Sequence, residues 1–198
     1  MTDAEQLLQL IQSRRTCYQF SDKSTSPVSH DDLRHCLTAA IWAPNHKLTE
    51  PWRFWVLSEA QQNQLASVYA ELRASRRAEK GTEAFETIYQ QAVQKFNAMP
   101  KIVLVGQVLA DDAVVRKEDY AACSCAIQNL QLMAWKLGIG VQWSTGPILQ
   151  DQVTYQQIGA SPSQIELIGA LYMGNLKGDC SSSNGKRKPL EEVVFGLN

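Results

Sequence analysis

Between Tyr120 and Gly138 the chain reads YAACSCAIQNLQLMAWKLG, a run of helix-compatible residues whose first half is built almost entirely from Ala, Cys and Ser. A helix that is small on every side has no broad apolar stripe for one neighbour and no charged face for water. Small residues all round mean close packing on more than one side. Gly138 stands where a C-terminal cap belongs. Other elements must pack against that helix from more than one side.

Four short apolar runs are available for that packing. RFWVL follows Pro51, KIVLVGQVL follows Pro100, and IGVQW and IELIGALYMG lie further on; each is bounded by turn-forming or polar residues and predicts a buried strand. Two amphipathic helices precede them. TDAEQLLQLIQSRR opens with a capping box, Thr2 and Glu5, sets Ala4, Leu7, Leu8 and Ile11 on one side, and ends at Arg14 and Arg15. SPVSHDDLRHCLTAAIWAP has Ser29 as N-cap with Asp32 three residues on, an apolar face of Leu33, Cys36, Leu37, Ala40 and Ile41, and Pro44 as its stop. From Glu59 to about Ala98 the residues are mostly Gln, Ala, Glu, Arg and Lys, which predicts two helices broken near Gly81 and Thr82. Their length and polarity fit a mobile cover and equally fit plain scaffold. STGPILQDQVTYQQIG reads as loop and helix, and the tail KGDCSSSNGKRKPLEEVVFGLN as a polar loop ending in an apolar extension. Helices alternating with four strands imply a mixed α and β architecture, a central sheet covered by helices.

With 198 residues, 44% apolar and 20% charged, the chain is long enough for a real core and short enough for one domain spanning residues 1–198. A formal charge of -1 offers no basic surface to nucleic acid or to an anionic membrane, so neither is expected as a partner. The lack of a leader pattern or a long apolar run makes the cytoplasm the expected location. The five cysteines (Cys17, Cys36, Cys123, Cys125, Cys180) are odd in number and contain no C-x-x-C pair. They read as reduced packing thiols, with neither a disulfide framework nor a metal site implied. On a helix, Cys123 and Cys125 point to different faces and make a poor redox pair.

Three separated places concentrate cationic or hydrogen-bonding groups: Arg14, Arg15 and Thr16; Asn45, His46 and Lys47; Lys186, Arg187 and Lys188. Arginine forks fit phosphate and carboxylate oxygens, and helix-end loops are where an anion grip would be placed. Each cluster alone is also what a solvated loop carries.

Taken in order, RRTCYQF, AAIWAPNHKLTEPWRFWVL, LQLMAWKLGIGVQWSTG and KRKPLEEVV resemble the nitroreductase family of flavin enzymes, covering both ends and the middle of the chain and leaving roughly residues 60 to 98 unmatched. The resemblance implies an α+β fold with a mostly antiparallel central sheet flanked by helices, and a C-terminal extension that reaches the partner subunit of a homodimer. It implies FMN at the subunit interface, NAD(P)H as reductant, and a nitroaromatic, quinone or related acceptor reduced by ping-pong hydride transfer through flavin N5. No side chain is then required as a catalytic nucleophile. The family's phosphate and ribityl contacts fall on Arg14, Arg15 and Thr16 and its tail arginine on Arg187, aided by Lys186. His46 stands in the loop before PW, and backbone contacts are expected from Trp143, Ser144 and Thr145.

One position departs from that pattern. Glu50 stands where many members carry Gln, and an ionised carboxylate cannot donate to a flavin carbonyl as an amide does. Either it points away from the ring, or it is protonated, or the flavin is tuned differently. A flavin-binding sensor or carrier with little turnover is the alternative this residue favours, and a helical interaction module with solvated clusters is the alternative without flavin. In GIGVQWSTG, Gly138 and Gly140 either admit the ring edge against bare backbone or simply cap a helix and begin a strand. The segment lacks the full G-x-G-x-x-G pattern of a dinucleotide fold. Trp42, Trp52, Trp55 and Trp135 read as core or interface aromatics.

Overall fold

Residues 1–178 and 185–196 are described by a computed structural model. In chain order the elements are α1 (Asp3–Ser13), α2 (His30–Ile41), β1 (Trp52–Val56), α3 (Glu59–Ala74), α4 (Glu83–Asn97), β2 (Lys101–Val108), α5 (Ala113–Lys136), β3 (Ile139–Ser144), α6 (Gln152–Ile158) and β4 (Ile165–Asn175). The four strands lie in the order β1-β2-β4-β3 and every pairing is antiparallel. The expected α+β fold with a helix-flanked antiparallel sheet is therefore observed.

The period of two along β2 divides the core. Val103 and Val105 face α2 and α5, with Cys36, Ala40, Ala126, Ile127 and Leu130 in the same layer. Ile102 and Leu104 face the opposite way, onto Leu65, Phe96, Ile148, Tyr155 and Tyr172. The sheet is thus buried on both faces. Helix α5 is closely packed as its small residues imply, with Ala122, Cys123, Ala126, Ile127, Leu130 and Ala134 all buried. It begins at Ala113, well before Tyr120, because Asp112 caps it by accepting from the backbone N–H groups of Val114 and Val115.

Residues 59–98 contribute to the core. Helices α3 and α4 bury Leu65, Ala66, Ala70, Ala74, Phe85, Ala92 and Phe96, so they form one side of the second core layer. Most of their polar residues face outward, while the buried Gln62 donates to the Phe96 and Met99 carbonyls. The one-sided apolar stripe of α1 behaves differently: it has no buried residue, and Leu7, Leu8 and Ile11 are 56%, 54% and 45% exposed. Leu190, Val193, Val194 and Phe195 of the tail are exposed as well, Phe195 to 90%. Among the described residues no helix is long and apolar enough to cross a membrane.

The β2–β4 ladder slips between Val105 and Gly106, where Val105 faces Gly169 and Gly106 faces Leu167. Ile168 is the extra residue of a bulge. Its carbonyl accepts the Trp143 indole N–H at 3.2 Å, and Trp143 lies directly over Gly169, where a Cβ would collide with the ring.

Candidate functional site

Arg14 leaves the helical path at the end of α1, with φ -58 and ψ 132, and turns the chain along the outer edge of β3. Thr16 pairs in parallel with Val141, and the Cys17 N–H donates to the Val141 carbonyl at 3.2 Å. That edge explains Gly140: a Cβ there would sit 2.7 Å from Cys17 Cβ and 2.8 Å from Leu176 Cδ2. The glycine admits the Thr16–Cys17 segment, so its reading as a bare-backbone approach for a ring is replaced by close packing of this chain. Gly138, at φ +75 with open space beside it, is the helix cap.

Arg15 donates through Nη1 to the carbonyls of Gln12 at 2.6 Å and Arg14 at 2.9 Å, closing the C-terminal turn of α1. Gly185 lies against the flat of the Arg15 guanidinium, where an added Cβ would be 2.9 Å from Cζ. This stacking brings the tail back beside α1. Arg14, Arg15 and Arg187 then border one cleft of about 690 Å³, together with Gln12 and Gln128. Lys186 adjoins it in sequence, its carbonyl accepting from Arg187 Nη1 at 2.8 Å.

Burial, followed by the charges of Arg187 and then Arg15, pulls the Arg14 guanidinium below its ordinary pKa. Among the described residues no carboxylate forms an ion pair with Arg14 or Arg187. Arg14 and Arg187, like charges with no ion-paired carboxylate among the described residues, favour a bound anion. A phosphate is such an anion. Two sequence-distant clusters, Arg14–Thr16 and Lys186–Arg187, are therefore neighbours within one chain.

His46 and Glu50 lie elsewhere. They flank a single 3-10 turn, His46–Leu48, between α2 and β1, and three non-glycine residues of this loop hold positive φ: Lys47 at 54, Leu48 at 55 and Glu50 at 42. Each such residue costs roughly 1 kcal/mol or more. The loop is held by α5, where Glu118 Oε2 meets His46 Nδ1 at 2.7 Å and the buried Asp119 accepts from Thr49 Oγ1 at 2.7 Å. Asn45 Oδ1 accepts the Glu50 N–H at 3.0 Å, and Arg53 donates to the Glu50 carbonyl at 3.1 Å. The side chains of His46 and Glu50 are exposed.

The loop precedes β1 at one edge of the sheet, while Arg14 and Thr16 lie outside β3 at the other. Three strand spacings, roughly 14 Å, separate those edges. One chain on its own does not bring His46 to Arg14.

Trp143 and Ser144 end β3, and Thr145 follows on the exposed surface. This end of β3 and the start of β1 are at the same end of the sheet, on opposite edges. The Trp143 ring is committed to the β4 bulge, leaving its backbone to face outward. Ser144 lines a second cleft, closed on its other side by Arg73, Arg76, Arg77 and Lys95 from the ends of α3 and α4. Those cations were passed over in the sequence because helix surfaces ordinarily carry Arg and Lys. Their one available signal was the clustering in RASRR.

Cys17, Cys36 and Cys123 are buried and Cys125 is exposed, which separates the two thiols of CSC; Cys180 lies outside the described residues. Of the four tryptophans read as packing aromatics, Trp52 is buried, Trp135 donates to Ser13 Oγ at 3.0 Å, Trp55 packs against the second core layer, and Trp42 is 81% exposed.

Residues 11–175 match the model of the Nitroreductase family. A Bacillus subtilis (strain 168) protein, YfhC, provisionally named an NAD(P)H nitroreductase, is 33% identical over 159 residues, covering 80% of this chain and 78% of its own. A nitroreductase-like family protein from Bacillus cereus superposes with a TM-score of 0.78 at 27% identity, over 98% of this chain and 97% of that one. A Desulfovibrio desulfuricans protein, provisionally named a nitroreductase and crystallised with FMN, shares the fold with a TM-score of 0.67 at 24% identity, over 96% and 95% of the two chains.

Proposed function

The chain belongs to the nitroreductase family, and from that premise we propose that it is an FMN-dependent oxidoreductase that uses NAD(P)H to reduce nitroaromatic, quinone or related acceptors. The observation that carries the reading is the meeting of Arg14, Arg15 and Arg187 around one cleft, with no carboxylate among the described residues ion-paired to Arg14 or Arg187. The FMN in the Desulfovibrio desulfuricans relative and the NAD(P)H in the name of YfhC support the same cofactor and reductant. The chemistry supplied by bound FMN is hydride relay from NAD(P)H to the acceptor in two half-reactions, which requires no nucleophilic side chain.

In this reading Arg14 and Arg187 neutralise the cofactor phosphate and Lys186 adds charge beside them. Arg15 holds the end of α1 and the tail in place and adds its charge to the same cleft, and Thr16 offers a hydroxyl to the ribityl chain. Ser144 and Thr145, with the Trp143 backbone, border the ring. His46 and Glu50 reach that ring from a second copy of the chain, because the sheet keeps them at the far edge of their own. The exposed stripe of α1 and the apolar tail are the surfaces through which two copies pair, the tail reaching across to its partner. Each chain acts as one domain, and the dimer works in the cytoplasm.

Purified protein given FMN should turn yellow, retain the flavin through desalting and oxidise NAD(P)H when nitrobenzene or a benzoquinone is added. Colourless protein without NAD(P)H oxidation rejects the proposal. Replacing Arg14 with Ala should weaken FMN binding by about 1–3 kcal/mol, the range for a lost charge-assisted hydrogen bond, and unchanged affinity removes Arg14 from the site. Glu50 supports a second reading: an exposed carboxylate on a strained loop would oppose charge on the reduced ring, as suits a flavin-binding sensor or carrier with little turnover. Bound flavin with no NAD(P)H oxidation across several acceptors is the result that favours it.

A further inference from the structure

The cleft beside Ser144 has a charge balance that phosphate binding at Arg14 leaves unexplained. Arg73 lies on the last turn of α3, with Arg76 and Arg77 just beyond it, and Lys95 lies on the last turn of α4. Among the described residues no acidic side chain lines the cleft and none of the four cations is ion-paired. Helix C-termini attract cations, which accounts for basic residues at those two ends. It does not account for the floor between them.

The floor is aromatic and dry. Phe96 and Tyr172 are 2% and 4% exposed, and the Phe96 ring centroid lies 4.9 Å from that of Tyr69 and 6.1 Å from that of Tyr172. The Tyr172 hydroxyl is buried, and among the described residues no partner meets it in ordinary hydrogen-bond geometry. Ser144 is close enough to influence the phenol, yet no hydrogen bond of ordinary geometry joins the two. Burial pushes the phenol above its ordinary pKa, so at neutral pH it remains a donor. Buried tyrosine hydroxyls in folded proteins ordinarily have partners, and one without a partner in a cleft wall is an unmet donor.

We propose that this cleft binds a small aromatic anion, with its ring on the Phe96–Tyr172 floor, its carboxylate at Arg73 and Arg76, and an uncharged nitro or carbonyl oxygen taking the Tyr172 O–H. At about 270 Å³ the cleft falls below the ~300–1,000 Å³ usual for drug-sized ligands, so it suits a single-ring molecule and excludes a dinucleotide. The cationic rim selects for negative charge, and the apolar floor selects for a flat ring. Naming this ligand as the electron acceptor rests on the flavin reading; its binding does not. The substrate class becomes acidic nitroaromatics or quinones.

The test compares 4-nitrobenzoate with 4-nitrobenzamide, a near-isosteric neutral control, by calorimetric titration of the FMN-treated full-length protein. The acid should bind about tenfold or more tightly than the amide at pH 7, the margin of one charge-assisted hydrogen bond. That margin should shrink as salt is raised and vanish in the Arg73→Gln/Arg76→Gln double variant. Tyr172→Phe should weaken binding of both ligands while raising the melting temperature of the ligand-free protein, a pair of changes that a purely packing role would not produce. Equal affinity for acid and amide overturns the proposal, as does a preference that survives the double variant. Should the double variant misfold, Arg76→Gln and Arg77→Gln, both at exposed positions, decide the matter, and an unchanged preference in both overturns it. Protein that stays colourless yet prefers the acid retains this site and loses the flavin reading; yellow, active protein without the preference does the reverse.

Discussion

At Trp143 one side chain closes two gaps. Its indole N–H takes the Ile168 carbonyl that the bulge removes from the ladder, and its ring fills the space above Gly169. Gly169→Ala drives a methyl group into that ring, and overpacking of this kind costs about 1–3 kcal/mol. Urea denaturation should show a loss in this range, with Trp143 fluorescence altered in the folded state. Wild-type stability in the variant would mean the ring moves aside freely. The thiols allow a second check. Burial, aided by Asp32 at Cys36 and by Asp119 at Cys123, pushes both pKa values up to about 12. Since the thiolate is the reactive form, neither should be alkylated by iodoacetamide at pH 8 until urea is added. Modification of either in folded protein, read by mass spectrometry, would contradict the burial.

At the scale of elements, α5 organises the molecule. Its first turns hold the His46 loop through Glu118 and Asp119, its middle fills the core, and its Gly138 cap feeds directly into β3. Asp112 starts it, and the N–H groups of Val115 and Val114 depress the carboxyl pKa below 3.8. A depressed carboxyl pKa stabilises the fold fully above 3.8 and loses that contribution as pH falls through the lower folded value. The stability difference between wild type and Asp112→Asn should therefore be flat near neutrality and change only below 3.8, as measured by denaturation across pH. A difference that drifts between pH 5 and 8 would assign the effect to another group.

The middle and C-terminal half of α5 was readable, because helix-compatible residues run to the Gly138 cap and Ala, Cys and Ser on all sides require close packing. Its start was not, because AVVRKED carries no helical stripe and the cap at Asp112 looks like an ordinary loop acid. The strands were legible from their apolar runs, and the helices α1 and α2 from Thr2, Glu5 and Ser29. Gly140 left its readings open for a physical reason: a missing side chain marks close approach without saying what approaches. The meeting of Arg14 with Arg187 came from family resemblance, since no local pattern joins positions so distant. The Arg73 cleft stayed hidden because cations facing a floor and cations facing water have the same spacing along a helix.

The whole molecule is left with apolar surface that one copy cannot cover: Leu7, Leu8 and Ile11 on α1, and Leu190, Val193, Val194 and Phe195 on the tail. Clusters of exposed apolar side chains of this sort mark association surfaces. Sedimentation should return a dimer for the wild type, and a Leu8→Asp/Phe195→Asp variant should shift toward monomer and lose FMN affinity along with it. A wild-type monomer that binds FMN fully would place the whole site within one chain.

The opposite-edge positions of Arg14 and His46 make an arithmetic statement about mixed assemblies. If each pocket draws its phosphate grip from one copy and its imidazole from the other, an Arg14→Ala chain and a His46→Ala chain are separately crippled. Refolded together, they form hybrids in which one pocket inherits both lesions and the other inherits none. Random assortment makes about half the pairs hybrid, so the blend should recover about a quarter of normal turnover from two nearly inactive parents.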